Sequence, residues 1–140
     1  YPNNDLGSKI ILNEYKKIRN KNIKIFPSIR FEHYLTLLKN SNFIIGNSSS
    51  GIIEAPYYGV PTINIGSRQK NRANLNSIVN CKYEYKSIIR YINKYSNKKR
   101  FKCSYFFGLG KSNLKVMKIL QSNKIWKIVN QKQFKDIIFN

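Results

Sequence analysis

Between Asn42 and Gly66 the chain reads NFIIG, NSSSG, IIEAPYYG, VP and TINIG: an apolar run, a serine loop, a helical segment and a second apolar run, with almost nothing between them. A strand that passes through a helix into another strand at such short range is the signature of a parallel α/β sheet. This unit constrains the fold class more than any other stretch of the sequence.

The surrounding sequence repeats the alternation. In 6–20, Ile10, Ile11, Tyr15 and Ile18 recur at helical spacing, and NIKIF (22–26) alternates like a strand that stops at Pro27. In FEHYLTLLKNS (31–41), Phe31, Tyr34, Leu35 and Leu38 fall at i, i+3, i+4 and i+7, one apolar face of a helix. NFIIG (42–46) is continuously apolar and is expected to form a strand buried on both faces. A helix over 50–58 closes at Gly59 and Pro61, and TINIG (62–66) follows as the next strand. SRQKNR reads as a loop, SIVNC (77–81) as a weaker strand and YEYKSIIRYINKY (83–95) as an amphipathic helix. A polar, basic connection leads to FFGLGKS (106–112), a last helix from Ser112 to about 121, and a tail with Trp126 and QKQFKDIIF. The expected architecture is α/β, a Rossmann-like parallel sheet with flanking helices, in one domain over 1–140 with no internal repeat or linker. At the start, YPNND reads like a loop just past a strand, so further sequence is expected upstream.

Composition narrows the function classes. Apolar residues make up 41% of the chain, which excludes wholesale disorder, and no run approaches a membrane span or a signal-peptide core. A cytoplasmic protein is the default expectation. Cys81 and Cys103 are too few for a disulfide framework and are expected to be reduced, buried or half-buried bystanders. With His33 the only histidine, no His-rich metal cluster can form, and neither metal nor cofactor is expected. The net charge of +20, from 26 Lys and Arg against 6 Asp and Glu, first suggests a nucleic-acid partner. The basic residues are mostly Lys spread along the chain among abundant Asn and Ile, and no zinc-finger or RNP-type pattern is present. A general basic composition explains them better than a nucleic-acid interface.

The serine loop carries the most specific chemistry. In a parallel sheet, ligands bind beyond the carboxyl ends of the strands, where the following helices present their N-termini. There, unpaired backbone N–H groups and the helix dipole favour an anion. Ser48, Ser49 and Ser50, with Asn47, can donate to phosphate oxygens, while Gly46 and Gly51 let the backbone approach closely. A helix cap needs only one such side chain. Glu54, one of few acids, could accept both hydroxyls of a ribose diol or could compensate the helix dipole. Arg68 and Arg72 follow the next strand end, where arginines suit a diphosphate.

On these residues the chain resembles a known family. GNSSSGIIEAPYYGVPTINIGSRQKNR is similar to the signature of the UDP-N-acetylglucosamine 2-epimerases, in the hydrolysing branch that feeds sialic-acid synthesis. HYLTLLKNSNFIIGNSSSG, YPNNDLGSK and FGLGKSNLKVMKIL resemble the neighbouring family segments, so the likeness covers most of the chain. The resemblance implies the C-terminal, nucleotide-binding domain of a two-domain, glycosyltransferase-B-like enzyme, with UDP-sugar in the cleft between the halves. It implies that Ser48 and Ser49 hold the diphosphate, Glu54 the ribose, and that Arg68 helps neutralise departing UDP; Ser50, Gly51 and Arg72 are expected as further UDP-binding residues.

The departures are as informative. The resemblance places the family's N-terminal domain, with its acid and base carboxylates, and the His-Pro segment shortly before YPNND outside this sequence. Asn71 stands where the family has Gly. Asp5, Glu14, Glu32, Glu84 and Asp136 are scattered, so no carboxylate pair lies near the loop, and His33 reads as a helix-face residue. FFGLGKS lacks Walker A spacing and reads as a turn feeding the last helix. Three readings follow: an epimerase half that binds UDP-N-acetylglucosamine or UDP and is inactive without its N-terminal half or a homo-oligomer partner; a non-catalytic nucleotide-binding module working with a partner chain; and a basic nucleic-acid-associated domain. The serine loop, Glu54 and Arg68 serve the first two and have no role in the third.

Overall fold

The computed structural model describes residue 2, residues 6–97, residues 99–129 and residue 131. It divides into two compact units, Tyr1–Ser104 and Tyr105–Asn140.

The first unit is built on three strands, β1 (Ile44–Gly46), β2 (Thr62–Ile65) and β3 (Ile78–Cys81), all parallel and adjacent in chain order. Four helices belong to it: α1 (Ser8–Lys17), α2 (Phe31–Asn40), α3 (Ser50–Tyr57) and α4 (Tyr85–Ser96). Side chains alternate across a strand, so each face of the sheet has its own core. On one face Leu38 of α2, Ala55 of α3 and Val60 pack with Ile44, Tyr34 and Tyr58. On the other, Ile63 and Cys81 meet Tyr95, Ile88, Tyr91 and Ile92 of α4, together with Phe43, Val79 and Phe101. The i, i+3, i+4, i+7 spacing of Ile88, Tyr91, Ile92 and Tyr95 is what lets α4 present one apolar stripe to the sheet. Burial of a side chain such as Ile63, at 0% exposure, stabilises the fold by about 1.5–3 kcal/mol.

Helix α3 ends in a tight return. Gly59 has φ 66, and a Cβ there would lie 2.2 Å from the carbonyl oxygen of Phe101, so glycine is required on two counts. The Phe101 N–H donates to Gly59 O (2.9 Å), and Arg100 donates to the carbonyls of Ser41 and Tyr58, fastening the segment after α4 to the ends of α2 and α3.

Several sequence expectations need correction. NIKIF is not a strand: residues 23–26 have no ladder partner among the described residues, and Ile23, Ile25 and Phe26 are exposed. Alternation supplies the pattern of a strand, but the conformation is stabilised only when a neighbour takes up its hydrogen bonds. NFIIG forms β1 but is not buried on both faces. It is an edge strand among those described, α4 packs on β2, and Ile45 remains 39% exposed. The apolar faces of α1 and α2 are only partly covered: Ile10 and Phe31 are exposed and α1 buries no residue. Cys81 is buried as expected, but Cys103 is exposed.

In the second unit, α5 (Ser112–Leu120) leads to a short α6 (Asn123–Trp126). Ser122 Oγ accepts from Lys124 N–H at 3.2 Å, and Trp126 Nε1 donates to Leu120 O at 2.9 Å. FFGLGKS is a turn into α5, with Gly108 and Gly110 at positive φ. Apart from Gln131, the tail QKQFKDIIF lies outside the described residues, as do Asp5 and Asp136. Among the described residues no helix is long and apolar enough to cross a membrane.

Candidate functional site

The loops after β1 and β2 come together at the carboxyl end of the sheet, as the sequence implied. Gly46 pairs in register with Asn64, and Asn64 with Asn80, so the two loops start from adjacent points of the same row.

The three serines of the first loop have three different roles. Ser48 Oγ accepts from the Ser50 N–H (3.3 Å), acting as a cap. Ser50 Oγ accepts from the Tyr34 hydroxyl (2.6 Å), which ties the helix start to α2. Ser49, the N-cap residue, is exposed and makes no side-chain cap bond, which leaves its hydroxyl the best placed for a ligand. The expected row of unpaired amides is not what the loop provides. Ser48 and Ser49 begin a tight turn, so the N–H groups of Gly51 and Ile52 already donate to Ser48 O (3.2 Å) and Ser49 O (2.9 Å). The bonds to Ser50 and Gly51 N–H are at the long end of the normal range and are the ones an anion would most readily replace.

Gly51 has a structural reason of its own. A Cβ at this position would lie 2.7 Å from Thr62 Cγ2, and Thr62 Oγ1 donates to Gly51 O at 2.6 Å. Glycine therefore sets how closely α3 approaches β2, and through that where the serine loop sits.

Glu54 lies one helical turn beyond Ser50, on the same face of α3. It is not in the first turn of the helix, so compensation of the dipole is a weak account of it. Its Oε2 is buried and has no hydrogen-bond partner among the described residues. Leaving a carboxylate oxygen buried and unpaired costs on the order of 1–3 kcal/mol, more for a full charge. Asn64 Oδ1 is a second orphan: the residue is 1% exposed, its Nδ2 donates to Asn80 Oδ1 at 2.7 Å, and its side-chain oxygen has no donor among the described residues. Both groups are acceptors, and both lie on the α3 side of the sheet.

The arginine loop is wound rather than extended. Lys70 N–H donates to Ser67 O (3.0 Å) and Arg72 N–H to Gln69 O (3.4 Å), while Asn71, at φ 65, is the non-glycine residue with positive φ among those described. Asn tolerates this left-handed conformation better than other side chains, so the glycine expected here is replaced without straightening the turn. Arg68 and Arg72 are both exposed. Arg72 Nη1 donates to Gln69 Oε1 at 2.7 Å, and Gln69 Nε2 in turn donates to Asn47 O at 3.0 Å. The loop also lines a cavity of about 450 Å³ that has Lys70, Lys82 and Tyr83 on its walls. A groove of about 570 Å³ along α2, from Phe26 to Leu37, does not include the serine loop.

A family model described as UDP-N-acetylglucosamine 2-epimerase matches residues 1–121. The chain belongs to the UDP-N-acetylglucosamine 2-epimerase family. It is 41% identical over 140 residues to a UDP-N-acetylglucosamine 2-epimerase of Neisseria meningitidis serogroup B, covering 98% of this chain and 37% of that protein, in its C-terminal part. It is 31% identical over 124 residues to a hydrolysing UDP-N,N'-diacetylbacillosamine 2-epimerase of Legionella pneumophila (86% of this chain, 32% of that one). It is 45% identical over 92 residues to the polysialic acid biosynthesis protein P7 of Escherichia coli (65% and 24%). The chain thus spans about a third of the length of the first two relatives.

In this 2-epimerase family member the two loops and Glu54 stand out in the sequence, whereas Gln69, Asn64 and Tyr34, which the structure places beside them, do not. Gln69 lies between two arginines that drew the attention, and an uncharged amide in a basic loop looks like filler. Its burial, at 6% exposure, and its two hydrogen bonds set it apart in the structure, and neither can be read from periodicity. Among the described residues, Glu14 is bound to Lys17 (2.6 Å), Glu32 lies in the first turn of α2 and Glu84 stands at the start of α4.

Proposed function

We propose that this chain is the UDP-binding, C-terminal part of a hydrolysing UDP-N-acetylglucosamine 2-epimerase, and that it is inactive without the remainder of the enzyme. The observation that carries the reading is the buried Oε2 of Glu54, without a hydrogen-bond partner among the described residues, one turn beyond the serine loop in a chain of net charge +20 with 6 acids. A ribose 2′,3′-diol offers two donors to such a carboxylate. The diphosphate is then met by Ser49, by the exchangeable Ser50 and Gly51 N–H groups, and by Arg68.

The reaction that fits removes the C2 proton of UDP-N-acetylglucosamine and breaks the C1–O bond, which releases UDP and leaves a C1=C2 double bond. Water then delivers OH to C1 and a proton to C2 on the opposite face, giving N-acetylmannosamine. This chain's share is the leaving group. Serine donors and Arg68 stabilise the charge that develops on the departing diphosphate. The acid and base that act on the sugar belong to the part of the enzyme outside this sequence, because no carboxylate pair flanks the loop among the described residues.

Titration of the purified chain with UDP, followed by calorimetry and thermal unfolding, tests the reading. UDP at 100 times its Kd is expected to stabilise the fold by about 2.7 kcal/mol, with UMP weaker and uridine weaker still. Glu54→Gln is expected to lose about 10- to 100-fold in affinity, as for loss of a charged hydrogen bond. No stabilisation by UDP, together with salt-sensitive binding of random DNA, would replace this reading with a nucleic-acid one. Release of UDP from UDP-N-acetylglucosamine by the chain alone would overturn the claim of inactivity.

A further inference from the structure

The two loops of the site are joined by a side chain that neither the family match nor the serine and arginine signature assigns. Gln69 is buried, and both ends of its amide are used. Nε2 donates to Asn47 O (3.0 Å) at the head of the serine loop, and Oε1 accepts from Arg72 Nη1 (2.7 Å). Asn47 and Gln69 are 22 residues apart and belong to loops that leave different strands. A loop of serines has little apolar surface with which to hold its own shape, and the arginine loop is exposed at Arg68, Lys70, Asn71 and Arg72. The amide therefore supplies a connection that packing does not.

We propose that Gln69 is a positioning residue that locks the serine loop to the arginine loop, so that both sides of the diphosphate site form one preset unit, and that Arg72 serves this lock rather than the ligand. The proposal deepens the UDP-binding reading and rests on it for its effect on affinity, but the lock itself exists without ligand. The direction of the amide matters. Asn47 O requires a donor, and Arg72 requires an acceptor. A carboxamide supplies both, whereas a carboxylate supplies two acceptors and meets Asn47 O with a repulsive oxygen. A protonated carboxyl again offers one donor and one acceptor.

Three single variants and one double variant test it. Gln69→Met keeps the volume and removes both hydrogen bonds, and Arg72→Ala removes one end of the lock. Each is expected to lower UDP affinity by roughly 10-fold, the scale of one or two lost hydrogen bonds. The double variant is expected to be no worse than the weaker single, because both break the same connection. Gln69→Glu is expected to bind UDP weakly at pH 8 and to recover toward the wild type only as the pH falls through the ordinary carboxyl range near about 4.3, judged as the ratio to wild type at each pH so that titration of UDP itself cancels. A residue with only a bulk structural role would not give this pH-dependent rescue. Amide hydrogen exchange without ligand supplies the second measurement: in Gln69→Met, residues 47–50 and 67–72 are expected to exchange faster together while β2 and α4 keep their protection. Wild-type binding of UDP with unchanged affinity in Gln69→Met, or additive losses in the double variant, would overturn the lock. If the wild type binds no UDP, the nucleotide reading fails, and the exchange experiment alone decides whether the two loops are coupled.

Discussion

Replacing Gly51 by Ala sets two effects of opposite sign against each other. Gly51 is a helical residue of α3 whose φ is not in the left-handed region, so on helix propensity alone Ala is better by up to about 1 kcal/mol. Against this, the new Cβ would lie 2.7 Å from Thr62 Cγ2, with Thr62 Oγ1 at 3.6 Å and Ile44 Cγ2 at 3.7 Å. Thr62 is 2% exposed and β-branched, so its methyl cannot swing away, and the helix must move instead. Overpacking of this kind costs about 1–3 kcal/mol, and a shift of α3 also weakens the 2.6 Å bond from Thr62 Oγ1 to Gly51 O, worth about 1 kcal/mol. The clash is expected to win, leaving Gly51→Ala destabilised by about 1–3 kcal/mol. Thr62→Ser removes the offending methyl and keeps the hydroxyl, and alone costs about 1 kcal/mol for the buried methyl. In the double variant the alanine methyl fills the space that the threonine methyl leaves. Urea unfolding of the four proteins completes the cycle, and the double variant is expected to be at least 1 kcal/mol more stable than the sum of the singles. Additive losses, or a stabilised Gly51→Ala, would show that contact with Thr62 does not set the position of α3.

Gly59→Ala combines left-handed strain at φ 66 with a Cβ 2.2 Å from the Phe101 carbonyl oxygen, and is expected to cost about 2–6 kcal/mol in chemical denaturation; a loss under 1 kcal/mol would contradict the close approach. Glu54→Gln should separate function from stability, leaving the ligand-free melting temperature equal to or above that of the wild type while UDP affinity falls, since the buried oxygen has no partner to lose; a clear drop in ligand-free stability would mean that the carboxylate is structural. Tyr95 is buried, and its hydroxyl pKa is raised from 10.0, first by desolvation and then by Tyr91. The folded state therefore keeps this proton longer than the unfolded chain, so stability is full below pH 10 and falls as the pH rises from there toward the folded value. Tyr95→Phe should show a shallower loss over that window than the wild type, and equal slopes would remove Tyr95 from the account.

The parts of the fold legible in sequence were those where one segment carries its own signal. The parallel β1–α3–β2 unit, β3 and the stripe of α4 follow from local periodicity, and each matches the structure to within a residue or two. NIKIF shows the limit, because its alternation is local but strand formation depends on a neighbour elsewhere in the chain. Ile45 shows the same limit for burial, since an apolar run says that a residue tolerates cover, not that cover reaches the edge of the sheet. In the site, charged and repeated residues were visible and bridging ones were not. Gln69 and Tyr34 matter because of what stands 22 and 16 residues away, and no window of the sequence contains that relation.

The three-residue β1 has a consequence for how the site would be felt by the rest of the domain. The serine loop hangs from one of the two edge strands of the described sheet, a strand of only three residues. Short edge strands are paired on one side only and so open more easily in local fluctuations than the central strand. Opening of this margin dismantles the loop, so any anion that selects the closed loop must also suppress the opening, by the same free energy. Occupancy is thereby written into the solvent protection of Ile44, Ile45 and Gly46. The weakest seam of the sheet doubles as a gauge of whether the site is filled.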